Sequence, residues 1–357
     1  MPGASMGPEP GRPRVLNRHI HRFSPGTSDG SRKSFDPPYG TGPVNLHRAV
    51  RAVADSEGEG PVDWTAAGTA ARAGTDAGDL TLSTADRRAY AADVGDARDA
   101  IREDSGLAFD VPRTVQVQDR HHWIDANIPT FRRLLAPLEG RTGLAPSLAR
   151  SANTASMAVT LGFLANNVLG QYDPLLLADG DHQLYFVHPN IEAVAGTLAV
   201  DRDRFRRWIA FHEVAHAAEF GAAPWLAERL EGLVREAVAE LAAGSLDRDA
   251  LRALDVTMTA VEGYAELVMD EAFDRPYTDL REKLDAKRRA SGPIAALLRR
   301  LLGLGMKRRQ YERGKAFFEA VAAARGTEAA GAVWERPEHL PTDAELDEPE
   351  RWLARVV

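Results

Sequence analysis

The run Trp208-Ile-Ala-Phe-His212-Glu213-Val-Ala-His216 constrains this chain more than any other stretch, because it contains the pattern H-E-x-x-H. On a helix, residues four apart share a face, so His212 and His216 offer two imidazoles to one cation while Glu213 stands to one side. Zinc takes neutral imidazole nitrogen, a catalytic zinc keeps one position open, and a nearby carboxylate must accept a proton from water. The motif meets all three needs within two turns. Two ordinary helix histidines, one buried and one solvated, are the plainer alternative. Context favours the metal reading: Asp201 is placed as an N-cap, Asp203 falls in the first turn, and Phe205, Trp208, Ile209 and Phe220 repeat at helical spacing.

A third ligand is required, and the downstream run Glu262-Gly-Tyr264-Ala-Glu266 offers one. It resembles the E-x-x-x-D arrangement of the gluzincins, in which the first carboxylate binds zinc and the second holds a ligand histidine through its free N–H. That resemblance assigns Glu262 as the ligand and Glu266 as the group behind the histidine. A solvated helix face is the alternative for both, although the residues before them are apolar and Thr-rich. Glu219 shares a face with His212 and His216. Its reach from the same helix makes it a supporting group at best.

Composition excludes several other functions. The net charge is −8, with no basic stripe carrying interleaved aromatics, so no nucleic-acid partner is expected. Cysteine is absent, which removes thiolate ligands, disulfides and a cysteine nucleophile, and is compatible with a cytoplasmic location. The most apolar stretch, Ala155 to Gly170, is broken by Thr160, Asn166 and Asn167 and reads as a buried helix, so no membrane partner is expected either. The first residues lack the apolar core of a secretory signal. Oligomeric state stays open.

Residues 1–60, rich in Pro, Gly, Ser and Asp, read as a disordered or loosely attached tail; His19 and His21 lie in it and are not expected to bind metal. Residues 61–357 read as one domain, with a helical part over 61–150 and the active part over 151–357. Helices are expected over Val62 to Ala73, from Ser83 to Asp104 behind a capping box, and from Pro129 to Leu135, with a short strand at Thr114 to Gln118. His121 and His122 are adjacent and point apart, which makes a shared metal improbable. Two apolar runs around a Gly/Asp turn, from Gln171 to His188, suggest a β-hairpin, with His182 and His188 as reserve ligands. Leu184 to His188 is the candidate edge on which an extended substrate would pair, unless the hairpin only covers the core. Further helices are expected from Trp225 to Ala243, Asp247 to Leu254, through Glu262 to Phe273, Ile294 to Leu302, and Met306 to Ala324.

Several blocks together resemble the zincin-like metallopeptidase family, once listed as a domain of unknown function. They are Val168-Leu-Gly-Gln-Tyr-Asp173, Val187-His-Pro-Asn190, Trp208 to His216, Pro224-Trp225-Leu226, Glu262-Gly263 with Val268-Met-Asp270, Met306-Lys-Arg-Arg-Gln-Tyr311 with Gly314, and Leu340-Pro-Thr342 with Trp352. The resemblance runs from about Trp64 to the end. Members carry labels such as hydrolase or zinc-dependent metalloprotease, and one branch is associated by label with coenzyme F420 biosynthesis. The resemblance implies a mainly α (α+β) fold: a zincin-like helical domain with a small β-hairpin or sheet beside the H-E-x-x-H helix. It also implies Zn2+ on His212, His216 and Glu262, with Glu213 as general base in the hydrolysis of a peptide or small amide. Members commonly read E-G-H-A-D where this chain has Glu262-Gly-Tyr264-Ala-Glu266. Tyr264 or Tyr311 could then serve as a phenolic donor to a developing oxyanion. A zinc-binding scaffold without turnover and a small-molecule amidohydrolase remain as alternatives. A di-iron bundle would need a second Glu-x-x-His besides Glu213 to His216, and the chain has none.

Overall fold

The computed structural model describes residues 14–16, 45–58, 60–138, 146–174, 183–243, 248–274, 277–289 and 308–357. In chain order these form strand β1 (Arg14–Leu16), helices α1 (Leu46–Ala54), α2 (Trp64–Ala73) and α3 (Thr84–Ser105), strand β2 (Thr114–Gln118), and helices α4 (Arg120–Leu134) and α5 (Pro146–Ala165). Strands β3 (Gly170–Asp173) and β4 (Gln183–Val187) follow, then helices α6 (His188–Leu198), α7 (Arg202–Ala222), α8 (Trp225–Ala243), α9 (Arg248–Ala272) and α10 (Thr278–Arg289). The chain closes with α11 (Arg308–Arg325), α12 (Thr327–Ala330), α13 (Asp343–Asp347) and α14 (Pro349–Val356). The architecture is mainly α with one small mixed sheet, as expected. Within the first 60 residues, β1 joins the sheet and α1 packs on α2 and α5.

Local chemistry sets many boundaries. Ser83 and Asp86 form the reciprocal capping box that opens α3, and Gly106, at φ 68°, ends it in a left-handed turn that costs glycine little. Asp201 caps α7 by accepting from the amide of Arg204 at 2.7 Å. Two expectations are corrected. Asp119, not Pro129, begins α4: its side chain accepts from the amide of His122, and Trp123 and Ile124 anchor the first turns in the core, so the helix continues through Pro129. The helices expected on either side of Leu254 are one element, α9, because no Gly or Pro interrupts the run between them. The run Ile294 to Leu302 lies outside the described residues.

The sheet has the order β1-β2-β4-β3, with β1, β2 and β4 parallel and β3 antiparallel to β4. Alternation divides its faces. Val115, Val117, Tyr172, Leu184 and Phe186 enter the main core with α3, α7 and α9. On the other face Gln116 bonds Gln183, while Gln171 accepts from the indole N–H of Trp123 and donates to Asn127, both on α4. The expected hairpin pairing of β3 with β4 is present, but Leu184 to His188 is not an edge. β4 lies between β2 and β3, and His188 already belongs to α6. β3 is the edge, and it faces α7.

Helix α7 runs through the middle, packed by α3, α9 and β3. From Trp208 to Ala218 every residue is buried except His212 and His216, which are half-buried. Alanines at 210, 215, 217 and 218 let the neighbouring backbones approach closely. Among the described residues no helix is long and apolar enough to cross a membrane.

The crossing of α9 and α11 is closer still. A Cβ added to Gly263 would stand 2.4 Å from the carbonyl carbon of Gly314, and one on Gly314 would stand 2.3 Å from the carbonyl oxygen of Thr259. Gly314→Ala is expected to force these helices apart and lower stability by about 1–3 kcal/mol in denaturant unfolding. Gly232→Ala, where nothing lies within 4 Å of the new methyl, is expected to be neutral or mildly stabilising. Equal effects of the two would show that the close crossing carries no strain-sensitive contact.

Candidate metal centre

Two helices bring three donors together. His212 and His216 project from the half-buried stripe of α7, and Glu262 projects from α9; their ligand atoms lie within 4.8 Å of one another. The two Nε2 atoms stand 3.3 Å apart. Two nitrogens bound to one zinc at about 2.0–2.1 Å and at a tetrahedral angle would be separated by about 3.3–3.4 Å. The imidazoles are therefore aimed at a shared point, and a carboxylate oxygen completes three sides of a tetrahedron. The residues present fit zinc.

The groups behind these donors explain how they are held. The Nδ1 of His216 faces Glu219 Oε2 at 2.8 Å, leaving Nε2 for a metal. Glu219 is fully buried. Burial drives its carboxyl up to about 7, against the hydrogen bond and charge of His216. For His216 burial opposes the charged form, but the Glu219 hydrogen bond and the charges of Glu219, Glu262 and Glu213 outweigh it and push the ring up to about 10. Trp208, one turn before His212, stacks on that ring at 6.4 Å.

Glu213 points toward the sheet. Its Oε2 accepts from the amide of Tyr172 at 2.9 Å. The amide of Val187 donates to Leu169 O, so pairing rungs fall on 169, 171 and 173, and the backbone groups of Gly170 and Tyr172 face away from β4 toward α7. A Cβ on Gly170 would lie 2.6 Å from Glu213 Cγ and 2.8 Å from its Oε1. Glycine at this position leaves room for the carboxylate. Burial raises Glu213 to about 7; nearby His216 and the Tyr172 amide pull it down, and Glu262 pushes it up.

Other expected site residues lie elsewhere. Glu266 does not support a histidine: it forms an ion pair with Arg281 of α10 at 2.5 Å. Burial raises its carboxyl to about 7 in spite of Arg281. Tyr264, two residues beyond Glu262 and so about 200° round the helix, is fully buried in the core, edge-on to Phe318 at 5.3 Å and Trp334 at 5.4 Å. No substrate can reach its hydroxyl there. Tyr311 falls on α11, with its side chain outside the described residues. His188 is buried against Tyr90, Nδ1 to hydroxyl 3.0 Å, and His121 Nε2 meets Thr75 O at 2.7 Å; neither approaches the cluster. His19, His21 and His182 lie outside the described residues. Glu219 takes the supporting place that its one-turn spacing from His216 predicts, whereas nothing in the sequence signals the Tyr172 amide.

With this geometry in place, the comparisons are specific. A family model for zincin-like metallopeptidases matches residues 62–246 and 237–353. A crystal structure from Chloroflexus aurantiacus, described as a putative hydrolase with a novel fold, superposes with a TM-score of 0.65 at 30% sequence identity, covering 87% of this chain and 98% of that one. A search of curated proteins gives no match.

Glu219→Gln keeps the shape of the supporting group and removes its charge; zinc affinity, read by competition with a chromophoric chelator, is expected to fall about 10–100-fold. Zinc takes only the neutral ring of His216, so binding at pH 7 is expected to release about one proton or more per metal. Calorimetry in buffers of different ionisation enthalpy measures this, and zero proton release would contradict the charge state assigned to His216.

Proposed function

This chain belongs to the zincin-like metallopeptidase family, and from that premise we propose that it is a zinc-dependent peptidase that cleaves amide bonds with Glu213 as general base. His212, His216 and Glu262 would hold the metal. When bound, zinc supplies Lewis acidity, polarising the scissile carbonyl and acidifying water. Glu213 takes a proton from the attacking water and passes it to the leaving amine. The Tyr172 N–H holds one oxygen of Glu213 and leaves the other to handle the proton. The ligands are half-buried, on the one open stripe of a helix that also packs against β3.

The convergence of the two Nε2 atoms with Glu262, next to a carboxylate held by an edge strand, is the observation that carries this reading. The substrate would lie in extended form along β3 rather than β4. The Tyr172 amide is already taken by Glu213, so pairing would use the outward groups of Gly170 and the outward carbonyl of Tyr172.

Glu213→Gln is expected to retain one zinc and lose hydrolysis of a fluorogenic peptide library by about 10²-fold or more. Gly170→Ala, which crowds the same carboxylate, is expected to lower kcat while leaving zinc affinity within a few fold. Metal bound with no chelator-sensitive cleavage in the native chain would favour a scaffold over a peptidase. Loss of zinc in Glu213→Gln would move that residue among the ligands.

A further inference from the structure

A second site lies on elements that carry none of the metal cluster. Helices α2, α4 and α8 and the turn Ala136–Leu138 line an open groove of about 650 Å³. Four arginines line it: Arg72, Arg132, Arg133 and Arg235. Trp64, Ile128 and Pro129 form its apolar wall.

Charge is concentrated there. Arg72 pairs with Asp125, and Arg133 grips the buried Glu231 from two sides, Nε to Oε1 at 2.6 Å, while Arg235 meets the same carboxylate at 2.9 Å. Among the described residues, four guanidiniums line the groove, and Asp125 and Glu231 are carboxylates that pair with three of them. Structural pairing accounts for Arg72, Arg133 and Arg235. It does not account for Arg132, which is exposed and makes no hydrogen bond or ion pair with any described residue. Glu231, only 7% exposed, fixes two of the side chains in place, so a ligand would not have to order them.

We propose that this groove binds a small organic phosphate whose ester carries a planar ring. A guanidinium fork matches the oxygens of a dianionic phosphate, and Trp64, in the same lining, supplies an aromatic ring of the kind on which a flat ring can stack. The site is independent of hydrolysis at the metal centre.

The test is isothermal titration of the full chain, stripped of zinc by chelator, with adenosine monophosphate, adenosine and inorganic phosphate as probes. Adenosine monophosphate is expected to bind with a Kd below about 1 mM, and each of the other two about tenfold more weakly, since each offers only one half of the match. Raising salt should weaken the nucleotide. Arg132→Ala and Arg132→Gln remove no structural pair and should each reduce nucleotide affinity about tenfold or more, with the circular dichroism spectrum and zinc affinity unchanged; Trp64→Leu should reduce it for adenosine monophosphate but not for inorganic phosphate. Absence of nucleotide binding at millimolar concentration, equal affinity for adenosine and its phosphate, or unaltered isotherms in both Arg132 variants would each overturn the proposal.

Discussion

The site depends on one constraint: two ring nitrogens that would repel if both carried protons are held 3.3 Å apart on a helix with no freedom to turn away. α7 is buried on every side but one, and the open stripe carries the two histidines. Rotating the helix to separate them from Glu262 would expose Phe211, Val214 and Ala215 to water and push the imidazoles into the core. Burial of the rest of the helix therefore aims the ligands. A divalent cation would satisfy both nitrogens and balance the carboxylates gathered around them.

Close backbone approaches fix the remaining parts. Glu262 is followed by Gly263, which touches Gly314 of α11, so the depth at which α9 presents its carboxylate is set by a contact that no side chain cushions. Glu213 is seated against β3 by the Tyr172 amide, in space that exists because residue 170 is glycine. Glu219 links the two helices' chemistry in another way: buried behind His216, it directs one ring nitrogen inward and leaves the other facing Glu262. Glu213 and Glu262 are thus positioned by elements remote in sequence, and His216 by a neighbour one turn along its own helix.

Much of this was legible in the residues themselves. H-E-x-x-H predicts two rings on one face because helical geometry is local, and the caps at Ser83 and Asp201 predict their helices for the same reason. Glu262 was found through resemblance to a spacing, and the structure brings it to the histidines. What escaped notice depends on tertiary contact. Glu266 has the spacing of a supporting carboxylate, yet the arrival of α10 gives it Arg281 instead. Tyr264 has a useful hydroxyl, but the phase of α9 turns it into the core. The edge strand was assigned one strand too late, since nothing local reveals that β2 takes the other side of β4. Pro129 read as a helix start because its local preference is strong, while the Asp119 cap and the packing of Trp123 and Ile124 carry the helix past it.

The central claim is that His212, His216 and Glu262 surround a single ion. X-ray absorption at the zinc edge, on protein loaded with one equivalent of metal, tests it most directly. The account predicts two imidazole nitrogens and a carboxylate oxygen at about 2.0–2.2 Å, with the oxygen shell altered in Glu262→Ala and the imidazole signal halved in His212→Ala. Octahedral oxygen coordination, or a spectrum unchanged by both substitutions, would contradict it.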